Sequence, residues 1–262
     1  MYEALRAPLS PTQTDEYLAR IGAGRQEPSA DYLDLLIRAQ LRTVPFDCAD
    51  VWVTGREPSL ATEDLFEKIV LRRRGGYCFE LNLLFLRLLQ SLGFEAYPVI
   101  IHLGRPGGEL SPPAHCGIIV TVEGQKRFAD VGFGGPVPDG SVPLNGETVL
   151  GHRSLRREAW TVVESLDRDG VPFPRFTFKD QPCDPVEFLP LNWYVSRREG
   201  SGFAADLKLN LRADDGFAEI GGQRFRFRQG DRLIEREIQT PEEAKALAAE
   251  YFSIPDLPIR PF

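Results

Sequence analysis

Residues 74–82 read Arg74-Gly75-Gly76-Tyr77-Cys78-Phe79-Glu80-Leu81-Asn82, and how this stretch is read decides the parsing of the whole chain. Basic, Gly-rich sequence gives way here to Leu81, Leu84, Phe85, Leu88, Leu89 and Leu92. That is the i, i+3, i+4 spacing of one helix face. The pattern predicts a helix stopping near Gly93, with Cys78 at or just before its N-terminus. Unpaired backbone N–H groups and the helix dipole favour a thiolate there, and the thiolate is the nucleophilic form of cysteine. The two glycines permit a tight turn and close approach of a substrate. A free cysteine is also a good small buried hydrophobe, so a catalytic Cys78 requires partners elsewhere in the chain.

Upstream of this stretch the pattern is helical. Thr14 to Leu18 predicts a short capped helix running to Gly22, and Asp31 to Leu41 a second with Tyr32, Leu35, Leu36 and Ala39 on one stripe. Pro45 breaks that helix. Thr62 to Leu71 predicts a third, with Thr62 as N-cap. Downstream of Gly93 the period changes. Ala96 to Leu103, Cys116 to Val122 and Arg127 to Phe133 predict strands, with a turn about Gly124-Gln125 between the last two. Arg156 to Ser165 and Arg175 to Phe178 continue the β character, so roughly 94–195 predicts a sheet or small barrel. Asn192-Trp193-Tyr194 fits a returning helix or a linker. Short strands follow over 206–211, 216–220 and 223–228. Thr240-Pro241-Glu242-Glu243 then starts a helix, with a Thr N-cap and Pro at the first position.

Composition narrows the function classes. The 262 residues suffice for one large domain or a few small ones. A formal net charge of −7 argues against a general nucleic-acid binder. Cys48, Cys78, Cys116 and Cys183 show no CxxC spacing, so no zinc site is expected. No basic segment followed by an apolar run opens the chain, and no membrane span is visible; a reducing cytoplasm with free thiols is the expectation.

A cysteine nucleophile needs a base, and the base an orienting group. Three histidines are available: His102, His115 and His152. His115 stands where a Pro-rich loop enters the strand Cys116 to Val122. His102 ends a strand, and His152 lies in Gly151-His152-Arg153. The carboxylate candidate is Asp130 in Phe128-Ala129-Asp130-Val131-Gly132-Phe133-Gly134. An acid in so apolar a strand requires a partner. With the turn about Gly124-Gln125, Asp130 falls opposite Ile119. Residues 115 and 119 share a face, but the offset is still four residues, roughly 13 Å along the strand. A bulge, strong twist or different neighbour must close that gap.

These motifs resemble the arylamine N-acetyltransferase family. RGGYCFELN at 74–82 is similar to that family's nucleophile segment, and His115 in PAHCGIIV and Asp130 in FADVGFGG sit in the matching contexts. TVPF at 43–46, NWYVS at 192–196 and the C-terminal EEAKALAAEYF add weaker matches. One departure stands out: Asp47-Cys48-Ala49 replaces the family's common Glu-Asn-Leu, which bears on the pocket beside Phe46. The resemblance implies an α+β fold with a cysteine-protease-like catalytic core. Residues 1–93 would form a helical bundle carrying the nucleophile, 94–195 an antiparallel β-barrel carrying His and Asp, and 196–262 an α/β lid.

The implied activity is acetyl transfer from acetyl-CoA to an arylamine, hydrazine or hydroxylamine, ping-pong through a thioester on Cys78. His115 would be the base and Asp130 its orienting carboxylate. Acetyl-CoA would be a co-substrate rather than a permanently bound cofactor, with no nucleic-acid or membrane partner. Phe46 and Phe133 match aromatic pocket positions, with ordinary core packing as the competing reading. The turn holding Gly132 and Gly134 could present N–H groups to the acyl donor. Arg72-Arg73-Arg74, Arg153 with Arg156-Arg157, and Arg197-Arg198 are candidate sites for its phosphates. The alternatives are an amide synthase closing a macrolactam from a carrier-bound acyl chain, a thiol hydrolase with the same residue order, and a non-catalytic binding module on the same fold.

Overall fold

The computed structural model describes residues 2–104, 110–135, 138–150, 153–158, 161–168 and 171–262. His152 lies outside them, as do the side chains of Arg153 and Arg157.

Helix α5 (Cys78–Ser91) is the centre of the molecule. Every residue from Cys78 to Leu89 is buried, the mark of a helix packed on all sides rather than along one stripe. Around it stand α1 (Pro11–Ile21), α2 (Ala30–Thr43) and α4 (Thr62–Phe66), the last continuing as a π turn over Glu67–Leu71. Helix α1 begins three residues earlier than its periodicity predicts, because Ser10 caps it and Pro11 occupies the first position. Thr62 is the first residue inside α4 and not its cap; Ala61 holds the cap position without a side-chain bond.

Among the described residues, eight strands form one antiparallel sheet, ordered β5-β4-β3-β2-β9-β8-β7-β6. They are β2 (Glu95–Gly104), β3 (Leu110–Val122), β4 (Gln125–Ala129), β5 (Val142–Pro143), β6 (Glu147–Leu150), β7 (Arg153–Glu158), β8 (Thr161–Arg168) and β9 (Val171–Lys179). The edge strands β5 and β6 are consecutive in sequence, so the sheet must curl until its edges meet. Thr148 Oγ1 donates to the Pro143 carbonyl at 3.2 Å across that seam. The result is a nearly closed barrel. Alternation along β2, β3 and β9 sends Val99, Ile101, Ile119, Phe176 and Phe178 into its interior. Cys116, Ile118 and Val120 face the other way, onto the core around α5.

The stretch Asn192-Trp193-Tyr194 is helical, inside α6 (Phe188–Arg197); the short α7 (Gly202–Ala205) follows. A second sheet runs β1-β10-β11-β12-β13. It comprises β1 (Phe46–Asp47), β10 (Lys208–Ala213), β11 (Gly216–Gly221), β12 (Arg224–Gln229) and β13 (Arg232–Glu237). Strand β1 thus ties the helical region to the C-terminal sheet. Helix α3 (Ala49–Thr54) buries Ala49 and Trp52 against α8 (Pro241–Phe252) and that sheet's inner face. Among the described residues, no helix is long and apolar enough to cross a membrane, and no group of three His, Cys, Asp or Glu side chains could hold a metal ion.

Candidate active site

Cys78 is the first residue of α5, with Tyr77 at the cap position. The Tyr77 N–H is not left open: Glu80 Oε2 accepts it at 3.0 Å. Glu80 is in turn paired with Lys68 Nζ at 2.6 Å, and Lys68 with Asp50 at 2.5 Å. Burial would lower the Lys68 pKa, but Glu80, Asp50 and Asp47 outweigh it and raise it. This buried ionic group fixes the entry of the nucleophile helix from below.

His115 and Asp130 meet directly. His115 Nε2 lies 2.7 Å from Asp130 Oδ2, with both side chains buried. The sequence register left them four residues apart; the β3–β4 turn is at Glu123-Gly124 instead, both with positive φ (53° and 73°). That is the backbone a two-residue hairpin favours. Val122 pairs with Gln125 and Ile118 with Ala129, so Asp130, just past the strand, falls beside Gly117. The offset to His115 halves to two residues on the same face, a diagonal that a histidine spans.

Burial alone would depress the His115 pKa. The Asp130 carboxylate, hydrogen-bonded to the ring, and Cys78 near it outweigh burial and hold the pKa up at about 10. Burial pushes the Asp130 carboxyl up, but the His115 charge and hydrogen bonds from His115, Asn82 and Gly132 bring it below its ordinary value. Cys78 Sγ also lies 3.9 Å from the Ala114 carbonyl oxygen. Cys78, His115 and Asp130 are therefore brought together in the order base chemistry requires.

Asn82 belongs to the same constellation. Its Nδ2 donates to Asp130 Oδ1 at 3.0 Å and to the Cys116 carbonyl at 2.9 Å, and its Oδ1 accepts the Val131 N–H at 3.0 Å. The available signal was an amide one helical turn after Cys78, on a largely apolar helix. Gly132 packs so close that a Cβ there would lie 2.9 Å from Cys78 Cα. Its N–H is already given to Asp130 Oδ1 at 2.9 Å. Gly134, at φ 70°, lies against the Phe46 ring.

Among the described residues, two clefts are lined by chain neighbours of the triad, Val131 in one and Ala114 in the other, and by none of its three side chains. The first, about 400 Å³, is lined by Phe46, Val131, Phe133 and Gly134 and, from the C-terminal sheet, by Arg212, Phe217 and Arg226. Phe133 also meets the His115 ring edge-on at 5.1 Å, and the Arg175 guanidinium stacks on its face at 3.7 Å. The second, about 200 Å³, is lined by Ser111, Ala114, Tyr194, Arg198, Phe203 and Lys208 among others, and among the described residues no acid lines it. The Phe46 and Phe203 rings, 6.0 Å apart, stand between the two.

The departing residues 47–49 do not line the first cleft. Asp47 is fully buried and pairs with Arg74 at 2.7 Å, and it accepts the Ala49 N–H at 2.8 Å. Arg74 is therefore not available to a phosphate, contrary to the sequence expectation. Burial would lower its pKa, but Asp47 and Asp50 raise it. Arg197 is paired with Glu57. Arg198 stacks over Tyr194 at 5.5 Å and faces the second cleft. His102 is apart from the triad, its Nδ1 3.0 Å from the Ser111 carbonyl.

The N-acetyltransferase family model matches residues 29–257. An arylamine N-acetyltransferase of Mycolicibacterium smegmatis is 30% identical over 220 residues, 79% of each chain. The solved structure of the Salmonella typhimurium arylamine N-acetyltransferase superposes with a TM-score of 0.86 at 24% identity, covering 94% of this chain and 93% of its own. That of the Mycobacterium marinum arylamine N-acetyltransferase in complex with CoA superposes with a TM-score of 0.82 at 24% identity, over 92% and 93%.

Proposed function

The chain belongs to the arylamine N-acetyltransferase family, and from that premise we propose that it moves an acetyl group from acetyl-CoA to an arylamine, hydrazine or hydroxylamine through a thioester on Cys78. The observation that carries this reading is the 2.7 Å bond between His115 Nε2 and Asp130 Oδ2 beside Cys78 at a helix N-terminus. With Asp130 holding Nε2, the other ring nitrogen is left for the sulfur. The imidazolium then stabilises the thiolate that attacks the thioester carbonyl. The first N–H groups of α5 have no intrahelical partner and would receive the developing oxyanion.

CoA leaves as a thiol, an exchange of one sulfur for another that suits a cysteine nucleophile. The amine then attacks the acetyl-enzyme while His115 takes its proton. The two clefts support a division of labour. The aromatic first cleft suits an aryl acceptor, with Phe46 and Phe133 on its wall and Gly134 open to the thioester end of the donor. Arg198 and Lys208 in the second suit the phosphates of acetyl-CoA; a relative of this fold has been solved with CoA.

The test is the initial-velocity pattern with acetyl-CoA and an arylamine varied together. Parallel double-reciprocal lines are expected of a thioester intermediate. Converging lines, or hydrolysis of peptides with acetyl-CoA ignored, would overturn the proposal.

A further inference from the structure

Cys116 is a buried thiol that acyl transfer does not use. It follows His115 in β3, and strand alternation turns its side chain to the opposite face, onto α5. Its Sγ lies 3.4 Å from the Cys78 carbonyl oxygen. Burial pushes its pKa well above the ordinary thiol value, and the charges of Cys78, Asp130 and Cys183 act in the same sense. The remaining cysteines are held elsewhere. Cys48 Sγ lies 3.5 Å from the Asp206 carbonyl and Cys183 Sγ 3.1 Å from that of Pro98. Cys116 is the second thiol against the nucleophile.

We propose that Cys116 is a resolving cysteine: when a peroxide oxidises Cys78, Cys116 closes a reversible disulfide with it and spares the nucleophile from irreversible oxidation. The proposal rests on the reading of Cys78 as a reactive thiolate. In the first step the Cys78 thiolate attacks one peroxide oxygen. An S–O bond forms, the O–O bond breaks, and hydroxide leaves and is protonated to water; sulfur is oxidised by two electrons and the peroxide reduced. In the second step the Cys116 sulfur attacks the Cys78 sulfenic sulfur. An S–S bond forms, the S–O bond breaks, and the departing hydroxide leaves as water with the Cys116 proton.

The test treats the full chain with hydrogen peroxide and maps the products by non-reducing peptide mass spectrometry. Wild type should yield a Cys78–Cys116 linked peptide lacking two hydrogens, and dithiothreitol should restore its turnover fully. Cys116→Ser and Cys116→Ala, each first shown to take an acetyl adduct from acetyl-CoA, should carry two or three added oxygens on Cys78 and recover no turnover. Over-oxidation of wild type to the same extent as the variants, or linkage of Cys78 to Cys48 or Cys183, would overturn the proposal. If wild type takes no acetyl adduct at all, the fault lies with the reading of Cys78 and not with that of Cys116.

Discussion

Asn82 Nδ2 donates to Asp130 Oδ1 at 3.0 Å, so the helix that begins with Cys78 also holds the carboxylate that orients His115. One helical turn separates the two residues of α5, so a single helix both carries Cys78 and holds Asp130.

Asn82→Ala should therefore slow acylation by about tenfold to a hundredfold, the scale of a small misplacement at a reacting centre. The stability loss should be about 1–3 kcal/mol, the cost of leaving buried partners unsatisfied. The diagnostic readout is the pH profile of acylation, whose alkaline limb should move toward neutrality as His115 loses a well-held Asp130. An unchanged profile with only a lower melting temperature would make Asn82 a packing residue.

Asp130→Asn should reduce turnover by about 10²–10⁴-fold by upsetting the imidazole. It also has a stability signature. The His115 pKa rises from 6.5 to about 10 on folding, so its stabilising contribution is full below 6.5 and fades as the pH climbs through 10. Asp130 works in the opposite sense. Its depressed pKa stabilises above the ordinary value of 3.8 and is lost as the pH falls through the folded value. Melting temperatures followed across this range should show both slopes in wild type, and neither from this pair in the variant.

Gly132→Ala places a Cβ 2.8 Å from Asn82 Nδ2 and 2.9 Å from both Cα and the carbonyl oxygen of Cys78. Since the obstacle includes backbone, the helix start must shift, and acylation should fall by about tenfold or more. Gly135→Ala, whose nearest contact is 3.8 Å away, is the control and should stay within about twofold. Equal rates in the two variants would show that close packing on Cys78 is not needed.

Arg74→Met leaves Asp47, with a side chain 0% exposed, without its counter-charge. Chemical denaturation should report a loss of about 3–5 kcal/mol. Adding Asp47→Leu should recover much of it, because the charge left behind is then removed.

The elements that could be read from the sequence are those whose cause is local. The apolar spacing after Cys78 marks α5, the period change after Gly93 marks the barrel, and Thr240-Pro241 marks α8. Cys78, His115 and Asp130 could be singled out as neighbours because a reactive cysteine requires partners, and an acid in an apolar strand requires one too. The distance between His115 and Asp130 was not. It depended on a turn at Glu123-Gly124, and a non-Gly residue with positive φ gives little warning of itself. Asn82 went unassigned because its three partners, Cys116, Asp130 and Val131, are remote in sequence. Arg74 read as a candidate phosphate site for the same reason: Asp47, 27 residues away, is brought to it only by folding. Barrel closure likewise follows from the order of the strands, which no local pattern carries.

The central claim is that Cys78 carries the acetyl group, and intact-mass spectrometry after incubation with acetyl-CoA tests it most directly. The account predicts a single acetyl adduct on wild type, discharged by an arylamine and absent in Cys78→Ser. An adduct that persists in Cys78→Ser, or none on folded wild-type protein, would contradict it.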